Sequence, residues 1–160
     1  MPGTVQTVLY FVVLIALAFP LGTYMAKVLE GESRWLGWLE RIIYKVAGIR
    51  PTDEQNWKGY AVTILIFNAI GFLAVYGIQR LQAMLPLNPA HLAAVAPDSS
   101  FNTAVSFATN TNWQGYCGET TMSYLTQMLA LGVQNFLSAA TGIAVLAALT
   151  RGFRARESSK

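Results

Sequence analysis

Charged side chains are scarce in this sequence. Only 12% of its 160 residues are Asp, Glu, Lys or Arg, whereas 54% are hydrophobic, and an ordinary soluble domain carries about twice that share of charge. The basic residues are scattered, so the net charge of +3 forms no dense basic patch and we expect no nucleic-acid partner. A single cysteine, Cys117, excludes a disulfide within the chain and a cysteine-rich metal site. This composition is typical of a protein whose solvent is the lipid bilayer.

The hydrophobic residues are gathered in three long blocks. They run from about Val5 to Tyr24, from about Tyr60 to Ile78 and from about Tyr124 to Leu149. About 20 helical residues cross the roughly 30 Å of bilayer hydrocarbon, so each block is long enough to span. The first block could instead be a signal peptide cut after Ala18. A signal peptide requires positive charge before its apolar run, however, and no Lys or Arg precedes this block. The pattern predicts an all-α membrane protein with three transmembrane helices.

The basic residues predict how these helices are oriented. Ten of the eleven Lys and Arg residues lie between the first two blocks or after the third. Because the positive-inside rule places such segments in the cytoplasm, we expect the N-terminus outside and the C-terminus in the cytoplasm. Arg80 is the exception, and we expect its long side chain to snorkel from the end of the second span to the interface. The predicted segments are a transmembrane anchor (1–26), a cytoplasmic connector (27–56), a helix–pore loop–helix unit (57–150) and a cytoplasmic tail (151–160).

The connector contains a predicted amphipathic helix. Apolar residues recur at helical spacing from Trp35 to Val46, with charged residues on the other faces. Such a helix lies on the membrane surface or packs against a partner subunit. Gly48 and Pro51 are expected to end it, and Thr52 with Gln55 to form the capping box of the next helix.

Small residues repeat every four positions in the third block. Ser138 is followed by Gly142, and Ala140 by Ala144 and Ala148. Small residues let helix backbones approach closely in lipid, so this face predicts contact with another helix.

A short helix is predicted between the second and third blocks. It covers Asp98 to Ala108, and Asp98 or Ser99 can cap its N-terminus. About ten residues at 1.5 Å each reach roughly 15 Å, half of the hydrocarbon thickness. The chain therefore has to turn back, and we predict a re-entrant pore helix followed by a selectivity-filter loop.

The stretch after this helix, from Thr109 to Gly118, is dense in hydroxyl, amide and glycine residues. Non-helical backbone is tolerated at membrane depth only where it is buried in protein or lines water. The negative end of the helix dipole and the carbonyls of an extended Thr/Asn run would replace the water shell of a cation. Gly115 and Gly118 can adopt positive φ angles without steric cost, which would let the carbonyls be arranged and the chain leave the membrane again. The pattern favours a path for a small cation over a polar surface loop that has no pore.

Five motifs between Pro86 and Ala140 are specific enough to be recognised. They are Pro86-Leu87-Asn88-Pro89, Asn102-Thr103-Ala104-Val105-Ser106-Phe107, Thr109-Asn110-Thr111-Asn112-Trp113-Gln114, Gly118-Glu119-Thr120-Thr121 and Gln134-Asn135-Phe136-Leu137-Ser138-Ala139-Ala140. These motifs resemble the KdpA family, the potassium-binding subunits of the bacterial Kdp transporter. The family carries four pore units in one long chain, and the resemblance covers an anchor helix and the first unit.

The resemblance implies a potassium filter and a set of partners. K⁺ would be bound mainly by backbone oxygens, with Trp113, Gly115 and Gly118 supporting the loop. The family works in the bacterial inner membrane beside an ATP-hydrolysing P-type subunit and smaller membrane subunits. The implied filter residues are Thr109, Asn110, Thr111, Asn112 and Gln114.

Three functions are open from the sequence. The first is potassium binding and translocation as the pore-forming subunit, or its first repeat, of a Kdp-type system. The second is an autonomous homotetrameric potassium channel built with three further copies of the chain, and the third is a non-conducting membrane assembly module. We expect no ATPase site here, because the sequence has neither a Gly-rich phosphate loop with its Lys nor an Asp-Lys-Thr-Gly motif.

Overall fold

The computed structural model of the chain describes residues 3–30, 37–50, 54–111 and 113–154. Helices joined by turns make up these residues, and no strand occurs among them. The chain forms two compact units, Met1–Glu54 and Gln55–Lys160. Several residues used in the sequence predictions lie outside the described ranges: Trp35, Leu36, Pro51, Thr52, Asn112 and the tail residues 155–160.

The first unit contains the helices α1 (Gly3–Leu29) and α2 (Gly37–Ala47). The described side chains of α1 are exposed on all sides although nearly all are apolar, as in a helix surrounded by lipid. The helix predicted in the connector is present as α2, and its placement on the membrane surface stays a prediction. Gly48 follows α2 with a φ of +66°, the left-handed conformation that ends many helices and that glycine adopts without strain.

The second unit contains α3 (Trp57–Leu81), α4 (Pro97–Ala108), α5 (Gly118–Thr121) and a π-helix (Thr126–Gly132) that continues into α6 (Val133–Arg154). The N-cap of α3 is Asn56, whose Oδ1 accepts from the Gly59 N–H at 2.9 Å. The predicted capping box of Thr52 and Gln55 is therefore wrong, because α3 begins after it.

Three described stretches are long and apolar enough to cross a membrane: Gly3–Val28, Trp57–Leu81 and Thr126–Phe153. They coincide with the three predicted blocks, so the all-α prediction with three membrane-capable helices is confirmed. The π-helix at the start of the third stretch was not predicted, since no sequence period marks the extra residue in its turn.

The short helix α4 packs against α3 and α6. It begins at Pro97, with Ala96 as an N-cap residue that makes no side-chain bond. The predicted cap by Asp98 or Ser99 is wrong, because proline fits the first helical position, where its missing N–H costs nothing. Asp98 lies in the first turn instead, where its charge suits the helix dipole.

A small apolar core joins α3, α4 and the start of the third membrane-capable stretch. Most of the other large apolar side chains are exposed, as expected where lipid is the solvent. Two members of the predicted small-residue face do meet the rest of this unit: Ser138 is buried, and the Ala144 carbonyl accepts from the Tyr60 hydroxyl of α3 at 2.9 Å. Among the described residues, nothing lies within 4 Å of a Cβ on Gly142. The buried core residues are Val75, Val95, Ala104, Phe107, Met122, Ala130 and Leu131.

Candidate functional site

The start of α4 is fastened to the end of α3 by buried polar bonds. The fully buried Gln79 donates from Nε2 to the carbonyls of Val75 (3.0 Å) and Ser100 (3.3 Å). The Val95 N–H donates to the Gln79 carbonyl at 3.2 Å. The Val95 carbonyl accepts from the Ser100 hydroxyl and from the Arg80 guanidinium. The Arg80 side chain is thus partly buried against the chain itself, and its snorkelling to the membrane interface stays a prediction.

A second glutamine, Gln82, connects both ends of the segment between α3 and the π-helix. Its Nε2 donates to the carbonyls of Ala93 (2.6 Å) and Thr121 (2.8 Å). Its Oε1 accepts from the Ser123 N–H (3.1 Å) and the Thr126 hydroxyl (3.0 Å). The carboxamide is fully buried, and both of its polar atoms are paired. One side chain thus fixes where α4 departs from the core and where the chain returns to it.

Three residues of the predicted filter form the C-terminal cap of α4. Thr109 is the C-cap, with φ −86° and ψ 0°, and Asn110 follows with a φ of +56°. The Asn110 N–H donates to the Phe107 carbonyl (3.3 Å) and the Thr111 N–H to the Ser106 carbonyl (2.9 Å). These are the two bonds of a Schellman motif. The predicted extended backbone is wrong at Thr109 and Asn110, since the loop curls back to satisfy the last carbonyls of the helix.

The Thr109 and Thr111 hydroxyls form a short chain of hydrogen bonds. Thr109 Oγ1 donates to the Val105 carbonyl at 2.8 Å and lies 2.7 Å from Thr111 Oγ1. A hydroxyl has one proton, so Thr111 is the donor to Thr109. Thr111 Oγ1 is exposed and keeps its lone pairs free, which makes it an acceptor toward the outside of the loop.

The loop returns to α4 at Trp113. The Ser106 hydroxyl donates to the Trp113 carbonyl at 2.9 Å, while the Trp113 ring is 60% exposed and lies beside Gly115. A Cβ on Gly115 would stand 3.1 Å from the ring, so the exposed ring would have to shift by a few tenths of an ångström to admit a side chain there. Neither Gly115 nor Gly118 uses the positive φ that glycine permits, and the left-handed residue among those described in the loop is Asn110.

The remaining loop side chains are exposed apart from Tyr116. Gln114 Nε2 lies 3.5 Å from the Tyr116 hydroxyl, and partial burial raises the pKa of Tyr116. The Cys117 thiol donates to Glu119 Oε2 at 2.9 Å, and this bond lowers the pKa of the Glu119 carboxyl. The negative charge of Glu119 is thus favoured beside the loop.

Gln127 anchors the far end of the loop. Its Nε2 donates to the carbonyls of Gly118 (3.2 Å) and Met122 (2.9 Å). The residue belongs to the π-helix, a geometry that is frequent at functional sites. The segment from α4 to the third membrane-capable stretch is therefore held at both ends by buried or partly buried side chains.

The structure brings four of the eight predicted site residues together around the end of α4. Thr109, Asn110 and Thr111 share its cap, and Trp113 is bonded to the same helix, whereas Gln114 is exposed and Asn112 lies outside the described residues. The organising roles of Ser106, Gln82 and Gln127 were not predicted from the sequence. The sequence pattern that could have indicated such residues is the recurrence of polar residues on one face of a helix, as with the buried Ser100, Thr103 and Ser106 of α4.

Comparison with known proteins places this arrangement in a family. The family model "KdpA: Potassium-transporting ATPase A subunit" matches residues 8–160. A protein of Chromobacterium violaceum is 61% identical over 99% of the chain, and one of Dechloromonas aromatica is 63% identical over 95%. Both are named potassium-transporting ATPase potassium-binding subunit.

The chain spans about a quarter of the length of these relatives, 27% and 26% respectively. A Ralstonia nicotianae protein of the same name is 61% identical over 97% of the chain, and the chain spans 27% of its length. Its three membrane-capable helices indicate a multi-pass membrane protein. The family model covers far more than half of the residues, and the chain therefore belongs to the KdpA family of potassium-transporting ATPase A subunits.

Proposed function

We propose that this chain binds and translocates potassium as the first pore unit of a Kdp-type transport system. One observation carries the proposal: in a chain of the KdpA family, a polar loop caps a short helix packed between two membrane-capable helices. The relatives named above are potassium-binding subunits, and the loop exposes the polar side chains of Thr109, Asn110, Thr111 and Gln114.

The length of α4 supports a re-entrant helix. Its 12 residues reach about 18 Å at 1.5 Å per residue, which is short of the roughly 30 Å hydrocarbon layer. The connections on either side are tied by Gln79, Gln82 and Gln127 to backbone groups that lipid could not satisfy. Such internal pairing permits non-helical chain at membrane depth.

The proposed ligands are neutral oxygens of Thr109, Asn110, Thr111, Asn112 and Gln114. Carbonyl and hydroxyl oxygens replace the hydration shell of K⁺ without a fixed negative charge. One loop covers one side of an ion, so the other ligands must come from further segments. The relatives are nearly four times as long as this chain, and we propose that their remaining length supplies those segments.

The partners follow from the same proposal. The relatives are subunits of a potassium-transporting ATPase, so we propose that ATP hydrolysis takes place in a P-type subunit beside smaller membrane subunits. The names of the relatives support a subunit of this complex and give no support to an autonomous homotetrameric channel. We propose that the complex lies in the bacterial inner membrane. The N-terminus of this chain would be outside and its C-terminus in the cytoplasm.

The proposal is tested in a chimeric transporter, the Chromobacterium violaceum relative in which this chain replaces its matching segment, assembled with its own partner subunits. Gln114→Arg brings a fixed positive charge to the proposed ion path, where repulsion in a low dielectric is strong. We expect potassium uptake at limiting K⁺ to be lost. Met84→Arg adds the same charge on an exposed loop of the same unit and should leave uptake unchanged. Normal uptake by an assembled Gln114→Arg protein would overturn the proposal in favour of a non-conducting assembly role.

A further inference from the structure

Ser106 forms hydrogen bonds with the loop at two positions, Thr111 and Trp113. It lies in the last turn of α4 and is buried. Its carbonyl accepts from the Thr111 N–H at 2.9 Å, and its hydroxyl donates to the Trp113 carbonyl at 2.9 Å. A single helical residue thus fixes the backbone two positions apart in the loop, once through its main chain and once through its side chain.

The two bonds determine which backbone groups are free. The Trp113 carbonyl is used by Ser106 and points toward α4, so it is withdrawn from any ion outside the helix end. Because a trans peptide is planar with its C=O and N–H antiparallel, the Gln114 N–H points the opposite way. Any carbonyls that serve an ion are therefore those of the residues before and after Trp113.

The bond is also well placed to be strong. Ser106 is about 5% exposed, so water competes poorly for the Trp113 carbonyl. Removing the hydroxyl would leave that carbonyl without its partner and free to rotate with the peptide. The change would be transmitted to Gln114 through the shared peptide plane.

We propose that Ser106 is a positioning residue that sets potassium affinity and selectivity by turning the Trp113 carbonyl away from the ion. This proposal rests on the proposed function of the loop. It assigns the selectivity of the unit partly to a buried side chain of α4 that does not contact the ion. A carbonyl ring discriminates between ions through the number and rigidity of its oxygens, so a loosened peptide should cost discrimination before it costs folding.

The chain offers a matched control at the other end of the same helix. Ser100 is also a buried serine of α4, and its hydroxyl donates to the Val95 carbonyl at 3.2 Å, away from the loop. Ser100→Ala and Ser106→Ala therefore remove the same group from the same helix. A general loss of packing would affect both variants alike.

The test uses the chimeric transporter with two readouts. The first is the K⁺ concentration that gives half of the thermal stabilisation of the purified complex, and the second is the ratio of K⁺ to Na⁺ needed for that effect. We expect Ser106→Ala to raise the K⁺ midpoint about five- to tenfold, which corresponds to the free energy of one buried hydrogen bond. We also expect it to lower the K⁺/Na⁺ preference. Ser100→Ala should leave both values unchanged.

Conservative replacements keep the proposal open to refutation if Ser106→Ala fails to assemble. Ser106→Cys has nearly the same size and a weaker donor, so we expect an intermediate K⁺ midpoint. Unchanged midpoint and preference in an assembled Ser106→Ala or Ser106→Cys complex would overturn the positioning role. If Gln114→Arg also leaves K⁺ binding unchanged, the proposed function itself fails. If only Gln114→Arg impairs binding, the function stands and the role of Ser106 is refuted.

Discussion

Gly71 on α3 leaves the space that the Gln134 side chain on α6 occupies. A Cβ built on Gly71 would overlap the Gln134 carboxamide, and Gln134 is almost fully buried there. The absent side chain of one helix thus admits a polar side chain of the other. The close approach of the two membrane-capable helices in this unit depends on the pair.

Gly71→Ala should therefore destabilise the second unit by about 1 kcal/mol, the low end of the cost of overpacking, because the atoms that must move are the tip of the flexible Gln134 side chain. Gln134→Ala removes the atoms that clash, so the double variant should be more stable than Gly71→Ala alone. Thermal unfolding of the chimeric transporter in mild detergent measures both effects. Gly142→Ala is the control, because nothing lies within 4 Å of a Cβ there. Equal losses for Gly71→Ala with and without Gln134 would show that the two residues are not coupled.

Gln82→Leu should be more damaging, because four groups lose the bonds they make to one buried carboxamide. Each buried group left unpaired costs about 1–3 kcal/mol, so we expect the variant to fail to assemble. Gln6→Leu makes the same chemical change at an exposed position of α1 and should be neutral. Membrane-fraction yield and thermal unfolding of the complex report the difference. A Gln82→Leu complex as stable as the parent would contradict the organising role of Gln82.

Much of the fold could be predicted because the signals are local. The three blocks are about as long as a bilayer requires or longer, and the predicted bounds of the short helix agree with those of α4 to within one residue. The caps could not be predicted as reliably, since Asn56 and Thr52 are both good N-cap residues and the choice depends on where α3 meets its neighbours. Each span follows from the length of its apolar block, whereas its ends are decided by tertiary contacts.

The sequence predicted which residues form the candidate site but not the backbone conformation of the loop. Resemblance placed it at Thr109 to Gln114, but the left-handed Asn110 and the Ser106–Trp113 bond depend on how the loop folds back on α4. Asparagine tolerates positive φ, yet Gly115 and Gly118 were the obvious candidates from sequence. The predicted residues can be right while the backbone that arranges them follows from contacts that no short motif contains.

The proposed membrane orientation predicts which positions react from outside. In the chimeric transporter, on a Cys117→Ser background, Asp98→Cys should react with an impermeant external thiol reagent and Arg50→Cys should not. Permeabilised cells should label both, which controls for accessibility. External labelling at Arg50→Cys in intact cells would reverse the assigned sides.

The Glu119 carboxyl should titrate lower than an ordinary glutamate because it accepts from the Cys117 thiol and from its own backbone N–H. Its pKa is lowered in the folded state, so the stability that it contributes is present above the unfolded pKa and is lost as pH falls through the folded pKa. Cys117→Ala should raise the pKa of Glu119 and Cys117→Ser should keep it low, because serine retains a donor. Isotope-edited infrared titration of the carboxylate measures this, with Glu119→Gln identifying the band. An unchanged pKa in Cys117→Ala would assign the shift to the backbone alone.

Asn110 separates a backbone role from a side-chain role in the loop. Its φ of +56° places it in the left-handed region, where a residue with a Cβ costs about 1–2 kcal/mol and glycine costs nothing. If the backbone conformation is what matters, Asn110→Gly should keep the K⁺ midpoint of the chimeric transporter, whereas Asn110→Ala should weaken K⁺ binding. Asn102, which is exposed within α4, provides a control in which the order of the Gly and Ala variants should be reversed. There alanine should be more stable than glycine by about 1 kcal/mol, because the position is helical. Equal loss of K⁺ binding in Asn110→Gly and Asn110→Ala would instead make the Asn110 carboxamide itself a ligand, and the Schellman cap would then have no special part in binding.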